Sequence, residues 1–188
     1  LSGWTFIKCS GDLFGKNPKR LRTPIVNKSF YMRTATIAEI KSELQHWSVQ
    51  ELTQVCLRLA RFKKDNKELL TYLIYEARNE VGYVQGVIRE LQEIFDDMNQ
   101  TNLYYAKKTL RRMVRLINKY SRYSSAPETE LQLRLFFCET LQASGMSFDD
   151  YKVIVNLYAQ QRKAVEKLYG QMHEDIQYEY QRRVNSLP

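Results

Sequence analysis

Lys107, Lys108, Arg111, Arg112, Arg115, Lys119 and Arg122 crowd one short stretch of the chain. On a helix turning about 100° per residue, all but Lys107 fall within an arc of about 100°, with Lys107 at its edge. The arc runs for roughly 21 Å. No acidic residue occurs between Leu103 and Tyr123. Like charges four residues apart repel, by about 0.2–0.5 kcal/mol per pair, so such a face is either put to use or tolerated in solvent. The use would be anion binding, because a duplex carries one charge per about 1.7 Å of axis and a stripe of this length would meet several phosphates. Tyr104, Tyr105 and Tyr123 flank the cations, and rings beside cations can stack on unpaired bases.

The bland alternative is a solvated or internally paired face. Glu90, Glu93 and Asp97 lie at helical spacing in the preceding helical stretch. If the two helices pack antiparallel, those carboxylates are placed to cover part of the stripe. Anionic lipid headgroups are a third target, but the opposite side of the same helix, Leu110, Met113, Val114, Ile117 and Tyr120, is needed for a core.

Catalytic patterns are scarce. There is no P-loop, G-x-G-x-x-G, H-E-x-x-H or G-x-S-x-G, and no cofactor motif. The two histidines are His46 and His173. Glu43 and His46 make one E-x-x-H, whereas helical di-metal sites use two such motifs and two further glutamates. The second is missing because residue 170 is Gly. His173, Glu174 and Asp175 sit together, but a lone His there reads as a packed or exposed side chain. Tyr72, Tyr75, Tyr83, Tyr178 and Tyr180 suit half-buried helix seams, since tyrosine joins an apolar body to a polar tip.

The elements that carry these residues read as helices. Thr36 and Glu39 form a capping box, with a short helix to about Trp47. Ser48 and Glu51 repeat it, opening a helix with Leu52, Val55, Cys56 and Leu59 on one face. Asp65 and Glu68 resemble the same device and open a third helix, through Leu69, Leu70, Leu73, Ile74 and Ala77. The fourth keeps Val81, Val84, Val87, Ile88, Leu91, Ile94, Phe95 and Met98 on one side. The fifth covers Leu103 to Tyr123 and is broken by Ser124 to Pro127. In the sixth, Leu131, Leu133 and Leu135 alternate like a strand, but Phe136, Phe137, Cys138 and Leu141 favour a buried helix, ended by Gly145. Ser147 caps a long seventh helix reaching Tyr180, with Gly170 as a place for a bend. The fold class is therefore all-α, with about seven helices in a bundle or a short irregular stack of helical hairpins.

A net charge of +8 looks like a nucleic-acid signal, but +5 of it lies in residues 1–31, leaving +3 for residues 32–188. Residues 1–31 also hold three of the seven Gly and two of the four Pro and show no helical period. They read as a basic, irregular segment upstream of a native start at Met32, or else as a genuine basic arm. Residues 32–188 read as a single helical domain. No apolar run approaches the ~20 residues of a membrane span. Cys9, Cys56 and Cys138 are odd in number and widely spaced, so a disulfide framework is not indicated. Cys56 and Cys138 fall in apolar helical patterns and read as reduced core thiols, fitting the cytoplasm.

Three stretches, LRLARFKKDNKELLTYLIYEA (57–77), NLYYAKKTLRRMVRLINKYSRYS (102–124) and HEDIQYEY (173–180), together resemble a group of small uncharacterised all-helical bacterial proteins. The resemblance covers most of residues 32–180. It implies a bacterial cytoplasmic protein and no particular activity. The expectation is a non-enzymatic interaction or adaptor module working through a helix face. RNA or DNA binding by the fifth helix is the alternative. An unpaired positive face favours the alternative, and carboxylates of the fourth helix over the arginines favour the adaptor.

Overall fold

The computed structural model describes residues 33–99, 102–145 and 151–188, and every regular element among them is helical. The chain divides into two compact units, Leu1–His46 and Trp47–Pro188. In the first, Thr36 opens α1 (Ile37–Leu44). Its Oγ1 accepts from the Glu39 N–H at 3.3 Å, and the Glu39 carboxylate accepts from the Thr36 N–H at 2.8 Å. Both donors lack partners inside the helix, which is why this pairing starts one. The expectations for residues 1–31, for a start at Met32 and for a Ser147 cap lie outside the described residues.

The second unit begins with the same device. Ser48 and Glu51 exchange bonds of 3.3 and 2.8 Å and open α2 (Val49–Phe62). Its expected apolar face is not buried: no residue of α2 is. Cys56 is exposed, which corrects its reading as a core thiol, whereas Cys138 is buried. Burial pushes the Cys138 thiol up to about 12, and a thiol reacts as its thiolate. Brief treatment of the native protein with iodoacetamide is therefore expected to label Cys56 and spare Cys138 until denaturant is added, as read by peptide mass spectrometry.

α3 (Lys64–Thr71) starts two residues earlier than an N-cap at Asp65 implies. Lys63 is its N-cap, in extended backbone at φ −140° and ψ 144°, and no side chain caps the helix. Glu68 is drawn away by a stronger partner described below. Asn66 Nδ2 donates to the Leu59 carbonyl at 3.0 Å and so pins the α2–α3 corner. A π-helical turn, Tyr72–Glu76, follows, with the Ala77 N–H bonded to the Tyr72 carbonyl at 2.9 Å.

Asn79 caps α4 (Glu80–Asp96) by accepting from the Gly82 N–H at 3.0 Å. A Cβ at Gly82 would stand 2.5 Å from the Asn79 side chain, so glycine leaves room for the cap. Val84, Val87, Leu91, Ile94, Phe95 and Met98 are buried. Val81, expected on that face, is 70% exposed at the first turn.

Asn102 caps α5 (Leu103–Ser124). Ser125, at φ 56°, ends it in left-handed backbone, and Pro127 takes the first position of α6 (Pro127–Ala143), where its missing N–H costs nothing. The strand-like spacing of Leu131, Leu133 and Leu135 has a simple cause. α6 packs against α4, α5 and α7 (Lys152–Tyr169), so several of its faces must be apolar. All three leucines, with Cys138 and Leu141, are fully buried. Gly145, at φ 64°, follows its end.

The long seventh helix is instead two, giving eight α-helices among the described residues where about seven were expected. α7 stops at Tyr169, and His173 caps α8 (Glu174–Asn185), its Nδ1 accepting from the Asp175 N–H at 3.4 Å. A bidentate Arg183–Glu139 pair, both bonds 2.8 Å, and Tyr180 donating to Glu128 at 3.1 Å tie α8 to α6. Among the described residues no helix is long and apolar enough to cross a membrane.

Candidate anion-binding surface

α5 is strongly two-sided, and that positions the cations. Ala106, Leu110, Met113 and Ile117 are fully buried. The basic arc on the other side must therefore face outward. Lys108, Arg111, Arg112 and Arg115 are exposed, and among the described residues none of the four meets a carboxylate. Lys107 is half-buried, its Nζ 5.9 Å from the centre of the Tyr104 ring. Tyr104 is 63% exposed and lies edge-on to Tyr105 with ring centres 5.4 Å apart. Two exposed rings thus sit at the helix start, beside the free cations.

The other end of the stripe is committed. Lys119 Nζ donates to Glu68 of α3 at 2.9 Å and lies 4.6 Å over the Tyr120 ring. The Tyr123 hydroxyl donates to the same Glu68 oxygen at 3.0 Å. The Lys119 hydrogen bond, helped by Tyr123 and opposed by burial, holds the Glu68 carboxyl below the usual carboxylate range. Arg122 is exposed and donates from Nε to the Asn118 carbonyl at 3.1 Å. Of the ten residues expected to form the surface, Lys119 and Tyr123 therefore serve the packing of α3 on α5.

The carboxylates expected to cover the stripe do not. Glu90 accepts from the Tyr120 hydroxyl at 2.7 Å, on the buried side. Glu93 and Asp97 are exposed, and neither forms an ion pair with α5 among the described residues. The acidic partner comes from α3 instead. Tyr72, Tyr83, Tyr120 and Tyr123 form a chain of ring contacts 4.6, 6.4 and 6.2 Å long, which is the helix-seam role read for Tyr72 and Tyr83. Tyr75 and Tyr178 are exposed.

Two polar centres, one half-buried at Glu80 and one buried at Arg134, brace the platform. Glu80, at the start of α4, accepts from the hydroxyls of Tyr72 (2.8 Å), Ser124 and Thr129. Burial raises its carboxyl pKa, but the three hydroxyls outweigh that and leave it lowered. Arg134, buried on α6, donates from Nε to Glu130 at 2.8 Å, from Nη2 to Asn118 Oδ1 at 2.9 Å, and from Nη1 to Gln161. Neither centre was read from the sequence, since apart from Glu130, four residues from Arg134, and Tyr72, eight from Glu80, their partners lie 16 to 49 residues away.

A third feature escaped notice for a different reason. Arg58, Arg61, Lys63, Lys64 and Lys67 surround the α2–α3 corner, with Asp65 among them and Glu68 paired with Lys64. That density was readable, and the apolar period of the helices masked it. Elsewhere, His46 and His173 are exposed, and no group of three or more His, Cys, Asp or Glu among the described residues is placed to hold a metal ion. Comparison with protein families, with curated proteins and with solved structures finds no match.

Proposed function

We propose that this protein is a non-catalytic, cytoplasmic binding module whose α5 face takes the phosphate backbone of a nucleic acid. The observation that carries the reading is the set Lys108, Arg111, Arg112 and Arg115, exposed and without carboxylate partners among the described residues, on a helix whose opposite side is fully buried. A rigid row of unneutralised cations is the arrangement that counterion release rewards. Tyr104 and Tyr105 supply exposed rings beside it. The free thiols Cys56 and Cys138 accord with a reducing compartment.

A protein partner is the second reading, favoured by the exposed apolar side chains Ile74 and Val81. Salt dependence separates the two. If the four free cations each neutralise one phosphate, affinity for single-stranded RNA is expected to fall about 50-fold between about 50 and 200 mM salt. Arg111→Glu/Arg112→Glu/Arg115→Glu is expected to remove binding of both RNA and duplex DNA while leaving the melting temperature unchanged. Lys119 is left intact, because a glutamate there would face Glu68. Absence of binding at about 50 mM salt would remove the nucleic-acid reading, and a protein-interaction module would take its place.

A further inference from the structure

We infer that the surface continues onto the α2–α3 corner, where Phe62 stacks on an unpaired base, so that the ligand is single-stranded nucleic acid. This rests on the reading of α5 given above and names the ligand class for it.

Continuity comes from Glu68. Its carboxylate accepts from Lys119 of α5 at 2.9 Å and pairs with Lys64 of α3 at 3.6 Å. The C-terminal end of the stripe and the first turn of α3 thus meet at one acid. From Lys64 the positive charge runs on through Lys63, Lys67 and Arg61 around the corner. A strand whose phosphates follow α5 therefore meets further cations there.

The corner has a shape as well as a charge. Leu57, Ala60, Arg61, Phe62, Lys63 and Lys67 line a concavity of about 540 Å³, within the ~300–1,000 Å³ of small-molecule sites. Phe62 is 79% exposed, the last residue of α2, with its backbone held by extended Lys63 and by the Asn66 bond to Leu59. A large apolar ring left in water amid cations has no role in this core. The ligand that satisfies both features carries anionic charge and a π-face together. An unpaired nucleotide does so, and aromatic stacking contributes about 1–3 kcal/mol per base. Duplex bases are already stacked and cannot enter.

The test uses the full chain with a labelled single-stranded RNA of about 12 nucleotides, inside the range such surfaces cover, and a duplex DNA of equal length. Phe62→Ala is expected to weaken RNA binding about 5- to 100-fold and leave duplex binding unchanged. Phe62→Tyr should restore the RNA affinity. Lys63→Gln/Lys67→Gln should lower the salt slope for RNA. Unchanged RNA affinity in Phe62→Ala, with loss in the α5 triple variant, overturns the inference and leaves the α5 reading standing. Equal weakening of RNA and duplex by Phe62→Ala overturns it too, because a stacking pocket discriminates between them. Displacement of RNA from wild type, but not from Phe62→Ala, by an acidic amphipathic peptide at equal concentration would assign the corner to a protein partner and overturn it as well. If the α5 triple variant binds both probes like wild type, the underlying reading fails.

Discussion

Glu80→Ala is expected to lower folding stability by about 3 kcal/mol, seen as a drop of about 6–12 °C in melting temperature for a chain of this size. Glu80 is the shared acceptor of three hydroxyls from three elements: Tyr72 in the π turn, Ser124 at the end of α5 and Thr129 in α6. Thr129 is only 2% exposed. Without the carboxylate its hydroxyl and that of Tyr72 are left buried without their acceptor, and each such group costs about 1–3 kcal/mol. Glu80→Gln keeps the volume and one carbonyl oxygen and should lose about half as much. Full stability in Glu80→Gln, with the loss confined to Glu80→Ala, would show that volume, not the carboxylate, is what matters.

The same site sets an acid limb. The Glu80 and Glu68 carboxyls are both lowered from an ordinary value of 4.5. A carboxylate whose folded pKa lies below its unfolded one contributes its stability fully above the unfolded value and loses it as pH falls through the folded value. Melting temperature should therefore decline below about pH 4.5, and more shallowly in Glu80→Ala than in wild type.

Arg134→Met is expected to cost about 2–4 kcal/mol, somewhat less than the ~3–5 kcal/mol of breaking a fully buried pair. Glu130 is partly exposed and can turn to water, which trims the loss. Gln161 cannot: it is buried, and its carbonyl accepts from the guanidinium. The double variant Arg134→Met/Gln161→Leu replaces the stranded amide with an apolar group and should recover part of the deficit, because a well-packed apolar substitute is often as stable as the pair it replaces. A double variant less stable than the single would show that Gln161 finds another partner once Arg134 is gone. Denaturant titration measures all three differences.

These centres mark where reading the sequence stops. The boxes at Thr36/Glu39 and Ser48/Glu51 were legible because each spans three residues and answers to local backbone need. The α5 stripe was legible because one face of that helix is rich in cations without an acid and the other is mostly apolar. Asp65 and Glu68 fit the same local pattern and misled, since Glu68 bonds Lys119, 51 residues on, and a charged partner outbids a capping N–H. α6 was ambiguous because it is apolar on several sides, and periodicity reports burial on one side only. Val55, Cys56 and Leu59 kept a perfect helical spacing in α2 yet are not buried. Spacing states which residues share a face and is silent on whether anything covers it. The basic α2–α3 corner was visible in composition and went unread for the same reason, its cations interleaving with that apolar period.

Protection is therefore unevenly distributed along the chain. α6 holds Thr129, Leu131, Leu133, Leu135, Phe137, Cys138 and Leu141 in the interior, so its amides are expected to exchange with solvent only when the whole unit unfolds. α2 buries no side chain, and its hydrogen bonds open in small local excursions with little packing to break. The corner bearing Phe62 thus belongs to the least cooperative part of the fold, where a segment can change shape without disturbing the helices behind it.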